Sequence, residues 1–261
     1  MLCDPGILAR IGGTGLLLLL AGLSSPGADL KSTESTDAYL KGRYIYERNC
    51  AVCHGKWGDG NGEMAKGMVP RPRTFTAGIF KYKSTPSSFL PMDEDLMRTI
   101  RGGVPGTSMP AFAILSDREI SSAVEYIKSF STRWRKKENY KAAVQVPATP
   151  SWFENKAAIG NRVTEGQKLF QVACASCHGA NGDGHGPAAA TLADIWNEPC
   201  VPGDLRRGAI RTGGEPKDLY RVLMTGISGT PMPSFGEALT PEQRWAIVAF
   251  IRGIREKEDL P

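Results

Sequence analysis

The sequence predicts an all-α protein of two similar helical units in tandem, and three observations carry that expectation. The first is an internal repeat: Gly42, Tyr46, Cys50, Cys53, His54 and Tyr126 recur 124 positions later as Gly166, Phe170, Cys174, Cys177, His178 and Phe250. The second is helical periodicity. Ile120, Val124 and Ile127 fall on one helix face, as do Trp245, Val248 and Ile251. The third is punctuation: glycine-rich stretches at 55–62 and 179–186 break the two units at the same place, and no strand pattern precedes them. The repeating unit is about 95 residues, well beyond the period of a solenoid.

Taken in order, the chain opens on an expected export signal at residues 1–28. Arg10 supplies a positive charge, Ile11 to Leu23 is apolar, and Ser24, Ser25, Gly27 and Ala28 are small enough for cleavage. The apolar run is about 13 residues, against about 20 for a spanning helix; an uncleaved membrane anchor is the alternative. The first unit is assigned to 29–132. It has a first helix over Asp37–Asn49 with Asp37 as N-cap, a middle helix over Asp93–Arg101 and a last helix over Asp117–Phe130. Asp93, Glu94 and Asp95 suit the positive end of the middle helix. The second unit is assigned to 162–261, with helices over Thr164–Ala173 (Thr164 as N-cap), Pro216–Met224 and Pro241–Ile254. Gly42 and Gly166 are expected to let the first helix cross closely over the last. Tyr46 would then meet Tyr126, and Phe170 would meet Phe250. The stretch 133–161 begins basic and turns proline-rich, and reads as a surface tether.

The chemistry lies in Cys50-Ala51-Val52-Cys53-His54 and Cys174-Ala175-Ser176-Cys177-His178. Cys-x-x-Cys-His is the attachment signature of a c-type haem. Thiols three apart share a helix face, so they can reach the two vinyl groups on one edge of a porphyrin. The adjacent His can turn its imidazole onto the iron. A thioredoxin-like dithiol or half of a zinc site is the competing reading. Neither explains a His in each copy, and no βαβ pattern is present. Each copy is followed by a matching loop, Gly106-Thr107-Ser108-Met109-Pro110-Ala111-Phe112 and Gly229-Thr230-Pro231-Met232-Pro233-Ser234-Phe235. The other methionines, among them Met64, Met68, Met92, Met97 and Met224, lack such a setting, and core filling is the general alternative for methionine.

These runs, the Met-Pro loops and the helix order resemble a tandem dihaem cytochrome c built from two class I cytochrome c domains. The resemblance covers 37–131 and 164–255. It implies two covalently attached haem c groups, with His54 proximal and Met109 distal on one iron, and His178 proximal and Met232 distal on the other. Axial thioether raises the potential relative to two imidazoles. With both axial places filled, the implied role is electron carriage rather than catalysis. In that family a loop proline often offers its carbonyl to the proximal His Nδ1–H. Pro187 fits that place in the second unit; Glu63 stands there in the first, so another carbonyl must serve.

Export fits the resemblance, because such haems are attached outside the cytoplasm. That location argues against nucleic acid as the partner of the basic run Arg133-Trp134-Arg135-Lys136-Lys137. The expected partners are a redox protein donor and acceptor, or a catalytic subunit of a respiratory complex; a dihaem peroxidase is a further alternative. Residues 29–145 carry 19 Lys and Arg against 13 Asp and Glu, while 146–261 carry 12 against 13. A basic first half suits an acidic partner surface. His185 reads as an exposed loop histidine and Cys200 as an unpaired thiol. Arg98 and Arg221, equivalent in the repeat, either neutralise haem propionates or solvate the middle helices.

Overall fold

The computed structural model of the chain describes residues 30–155 and 157–258; the expected export segment, with Cys3, lies outside them. The first unit holds α1 (Leu30–Asn49), α2 (Ala51–His54), α3 (Asp93–Gly102) and α4 (Asp117–Ser129). The second repeats them as α5 (Ile159–Ala173), α6 (Ala175–His178), α7 (Pro216–Thr225) and α8 (Pro241–Glu258). Among the described residues there is no strand, only an isolated bridge between Ala193 and Pro199. None of the described helices is long and apolar enough to cross a membrane.

The fold is all-α as the periodicity predicts, and the two glycines explain how it closes. A Cβ on Gly42 would lie 1.9 Å from the Ser122 carbonyl oxygen, and one on Gly166 would lie 1.9 Å from that of Ala246. Only glycine lets α1 lie against α4, and α5 against α8, at this spacing. The expected ring pairs sit at these crossings, Tyr46 and Tyr126 at 5.3 Å and Phe170 and Phe250 at 5.1 Å between centroids. Ile120, Val124, Ile127, Trp245, Val248 and Ile251 are all buried.

The last helix of each unit starts on a capping box. Ser116 and Glu119 bond reciprocally at α4, and Thr240 and Gln243 do so at α8. At α3 the buried Asp95 accepts from the Met92 and Ser84 backbone N–H, the Ser84 hydroxyl and Arg98.

Two expected N-caps are overturned. Asp37 and Thr164 both lie inside helices that begin earlier. Thr164 bonds back to the Gly160 carbonyl at 3.1 Å, which satisfies its hydroxyl within the helix. α5 starts sooner because Ile159 and Val163 pack onto the second core.

The stretch read as a surface tether is instead docked. Arg133 donates to the Gly78 and Ser88 carbonyls, and Trp134 sits edge-on to Phe80. The Leu90 N–H donates to the Asn139 carbonyl and the Val144 N–H to that of Ser84. Phe153 is 1 % exposed, in the core of the second unit. Its apolar anchors, interspersed among charged residues, are what a composition-level reading smooths over.

Candidate functional site

Both cysteine motifs are shaped alike. At Cys50 the chain turns while keeping helical hydrogen bonds, Cys50 N–H to Tyr46 O at 2.8 Å and His54 N–H to Cys50 O at 2.8 Å. Cys174 and His178 repeat this at 2.8 and 2.9 Å. Gly55 and Gly179, at φ +79° and +76°, then reverse the chain. The glycine-rich loops fold back onto the motifs, with Gly60 N–H on the His54 carbonyl and Gly184 N–H on that of His178. Asp59 and Asp183 fix the loops by accepting the backbone N–H two residues on.

The methionine loops are also matched. Thr107 and Thr230 donate through their hydroxyls to Val104 and Ile227 carbonyls, and accept from Met109 and Met232 N–H. Val104 and Ile227 N–H bond the Met109 and Met232 carbonyls at 3.0 and 3.1 Å. Gly103 and Gly226, at φ +65° and +64°, leave room for the returning strand of each loop. The threonine common to both loops thus aims the methionine.

In the second unit these parts face one cavity of about 390 Å³, lined by Cys174, Cys177, His178 and Met232. Phe170, Leu219, Leu223, Phe235, Ile247 and Ile251 complete an apolar wall. Two thiols at one edge, an imidazole and a thioether around an apolar space fit a haem c. In the first unit Cys50, Cys53, His54 and Met109 take the same backbone hydrogen bonds, and the His54 ring stacks on Phe75 with 4.6 Å between centroids.

The electrostatics favour this over the dithiol and zinc readings. Burial pushes the Cys50 thiol up to about 12 and the Cys174 thiol up to about 11. A reactive redox dithiol needs the opposite shift. Among the described residues no three His, Cys, Asp or Glu side chains converge as a metal site. Burial lowers the pKa of His54 and His178, leaving neutral imidazoles suited to coordination.

The carbonyl holding the proximal ring is not where the repeat placed it. His54 Nδ1 lies 2.9 Å from the Arg73 carbonyl. In the second unit Gly203 takes the equivalent place, packed against Gly184 as Arg73 is against Gly60, but His178 Nδ1 stays buried without a hydrogen bond. Pro187 does not take the role; it is an exposed loop residue. Arg73, which takes it in the first unit, comes 19 positions after His54, where the motif offers no signal. His185 is 87 % exposed. Cys200 is half-buried at the edge of the cavity. Arg98 and Arg221 pair with Asp95 and Asp218, each at 2.6 Å.

One functional-looking residue has no counterpart across the repeat. Arg244, 5 % exposed, donates to the Phe235, Gly236 and Leu239 carbonyls and to the Tyr220 hydroxyl. It ties the segment behind Met232 to α8; Ile120 occupies its place in the first unit.

Comparison with known proteins matches both halves. A model described as "Cytochrome c" matches residues 163–255. One described as "Cytochrome C oxidase, cbb3-type, subunit III" matches 37–127. The cbb3-type cytochrome c oxidase subunit CcoP of Azospirillum sp. (strain B510) is 24% identical over 83% of this chain and 62% of its own length. The subunit FixP of Azorhizobium caulinodans is 24% identical over 82% of this chain and 59% of its own. This chain therefore spans about three fifths of these curated relatives. A chain of the Kuenenia stuttgartiensis reducing HAO-like protein complex superposes with a TM-score of 0.76 at 36% identity, covering 82% of this chain and 95% of that one. The two matched regions enclose both Cys-x-x-Cys-His runs and both methionine loops.

Proposed function

This chain belongs to the dihaem cytochromes c made of two tandem cytochrome c domains, and on that footing we propose that it passes single electrons between redox proteins in the periplasm through two His/Met-ligated haems. It carries two covalently attached haem c groups, and its role is electron transfer. The cavity lined by Cys174, Cys177, His178 and Met232 carries the ligand assignment of the second unit, and the matched motif and loop of the first unit extend it to His54 and Met109. When bound, each haem supplies one reversible one-electron couple.

The residues account for the rest. Cys50 with Cys53, and Cys174 with Cys177, would hold the haems covalently. The Arg73 carbonyl orients the His54 ring, and the threonine hydroxyls aim Met109 and Met232. The apolar wall keeps water out, so little solvent reorganises when charge moves. If His54 and Met109, and His178 and Met232, hold the two groups, their imidazole and thioether would occupy the places a substrate would need. A dihaem peroxidase, by contrast, would show a high-spin haem and turn over peroxide. The basic first unit suits an acidic partner.

A second reading, an electron-transfer subunit fixed in a respiratory complex, is favoured by the relatives, which are oxidase subunits and a member of a multi-protein complex. Co-purification with a catalytic subunit distinguishes it from a free shuttle. The ligand assignment is tested with Met109→Ala and Met232→Ala in the holoprotein. Each should remove about half of the near-infrared sulfur-to-iron band and lower the potential of one haem. An unchanged band in either variant would remove that methionine from the ligand set.

A further inference from the structure

Arg73 reaches in two directions. Its carbonyl oxygen is 2.9 Å from His54 Nδ1. Its guanidinium lies over the Trp196 ring, 3.9 Å from the centroid, and 3.8 Å from Asp194. Trp196 and Asp194 belong to the other unit. The Asp194 side chain is only 6% exposed, and its two oxygens divide the work. Oδ1 accepts the backbone N–H of Trp196 at 3.0 Å and of Glu198 at 3.2 Å, which builds the turn that presents the indole. Oδ2 faces two cations of the first unit, Arg73 and Lys81, the latter at 3.2 Å.

The second unit has no such device. Gly203 stands where Arg73 does and has no side chain to anchor, and His178 Nδ1 is left without a hydrogen bond.

We propose that Asp194, with the Trp196 it presents, is a positioning residue for the haem of the opposite unit: by gripping the Arg73 side chain it holds the Arg73 carbonyl on His54 Nδ1–H. The proposal rests on His54 being the proximal ligand. A firmly held acceptor makes the imidazole more basic and steadies its orientation. Docking of the units thereby sets the first haem's environment, whereas the second haem has no matching dependence on the first unit's side chains at its imidazole.

The test uses the full-length, fully reduced holoprotein, which is diamagnetic and gives sharp proton resonances. In Asp194→Asn the His54 Nδ1–H should exchange with solvent roughly fivefold faster, as expected for a loosened hydrogen bond of ordinary net strength. The first haem's midpoint potential should rise, because a nearly buried negative charge is lost and the imidazole becomes less basic. The His178 ring proton should hold, whereas the second haem's potential reads only the lost charge, because Lys81, the partner of Asp194, also lines the second cavity. Arg73→Ala should speed the same proton by a similar factor, since the carbonyl stays but its anchor goes. Glu198→Gln removes another cross-unit ion pair, with Arg71 at 3.5 Å, both groups being well exposed; it should leave both ring protons unchanged. An unmoved His54 proton in Asp194→Asn would overturn the proposal, as would equal acceleration of that proton in Glu198→Gln or equal acceleration of the His178 proton in Asp194→Asn. A His54 ring lacking the large ring-current shift of an iron-bound imidazole would instead overturn the ligand assignment, and the proposal with it.

Discussion

Gly166→Ala probes the helix crossing that forms the floor of the second cavity. The added Cβ would lie 1.9 Å from the Ala246 carbonyl oxygen and 2.4 Å from its carbon, where ordinary contact begins near 3.4 Å. α5 and α8 must therefore part by about 1.5 Å (3.4 − 1.9) at that point. Both obstructing atoms are main chain, so no rotamer change absorbs the overlap. Overpacking of this kind costs about 1–3 kcal/mol and sometimes more, and here it also strains the Phe170–Phe250 contact at 5.1 Å. Alanine returns about 1 kcal/mol in helix propensity. A net loss of about 1 kcal/mol, and up to about 2, follows, which for a unit of this size lowers the midpoint by roughly 5–10 °C. Gly253→Ala in α8 is the control, because its nearest neighbour is 4.0 Å away and only the propensity gain applies. Thermal unfolding of the holoprotein, followed by far-ultraviolet circular dichroism and by haem absorption, reads both. If Gly166→Ala were as stable as the parent, close helix approach would not be the reason for that glycine.

Other outcomes follow from particular side chains. Arg244→Met strands three carbonyls and a phenol hydroxyl; a loss of about 3 kcal/mol is expected, and denaturant titration showing under about 1 kcal/mol would contradict the tie behind Met232. Burial pulls Lys83 down from 10.5 to about 8. Between those values the folded state has released a proton that the unfolded chain retains, so stability rises with pH across that window, by an amount on the order of 3 kcal/mol at most. Unfolding measured below pH 10, before tyrosines titrate, should show this rise in the parent and a flatter profile in Lys83→Met. His185→Ala should leave both haem spectra and potentials unchanged, as suits a ring 87 % exposed; a lost haem band would instead make it a ligand.

Much was legible in the residues because the chemistry constrains them one at a time. A haem attached through two thioethers needs its cysteines three apart and its imidazole next door, so Cys50, Cys53, His54 and their counterparts announce themselves. Gly42 and Gly166 are visible for a similar reason, since only an absent side chain permits the helix approach the structure shows. Helix starts were harder. Asp37 and Thr164 have cap chemistry, but packing of Ile159 and Val163 extends α5 past the cap that local propensity offers.

Sequence alone determined the tandem architecture, the two attachment motifs and the paired methionine loops, because each is written in residue identity at a repeating distance. Tertiary structure alone decided that the Arg73 carbonyl meets the His54 ring, that Arg244 braces the second loop, and that Asp194 grips Arg73 across the units. A backbone carbonyl has no residue signature, and a contact between segments more than a hundred residues apart leaves no local spacing to read.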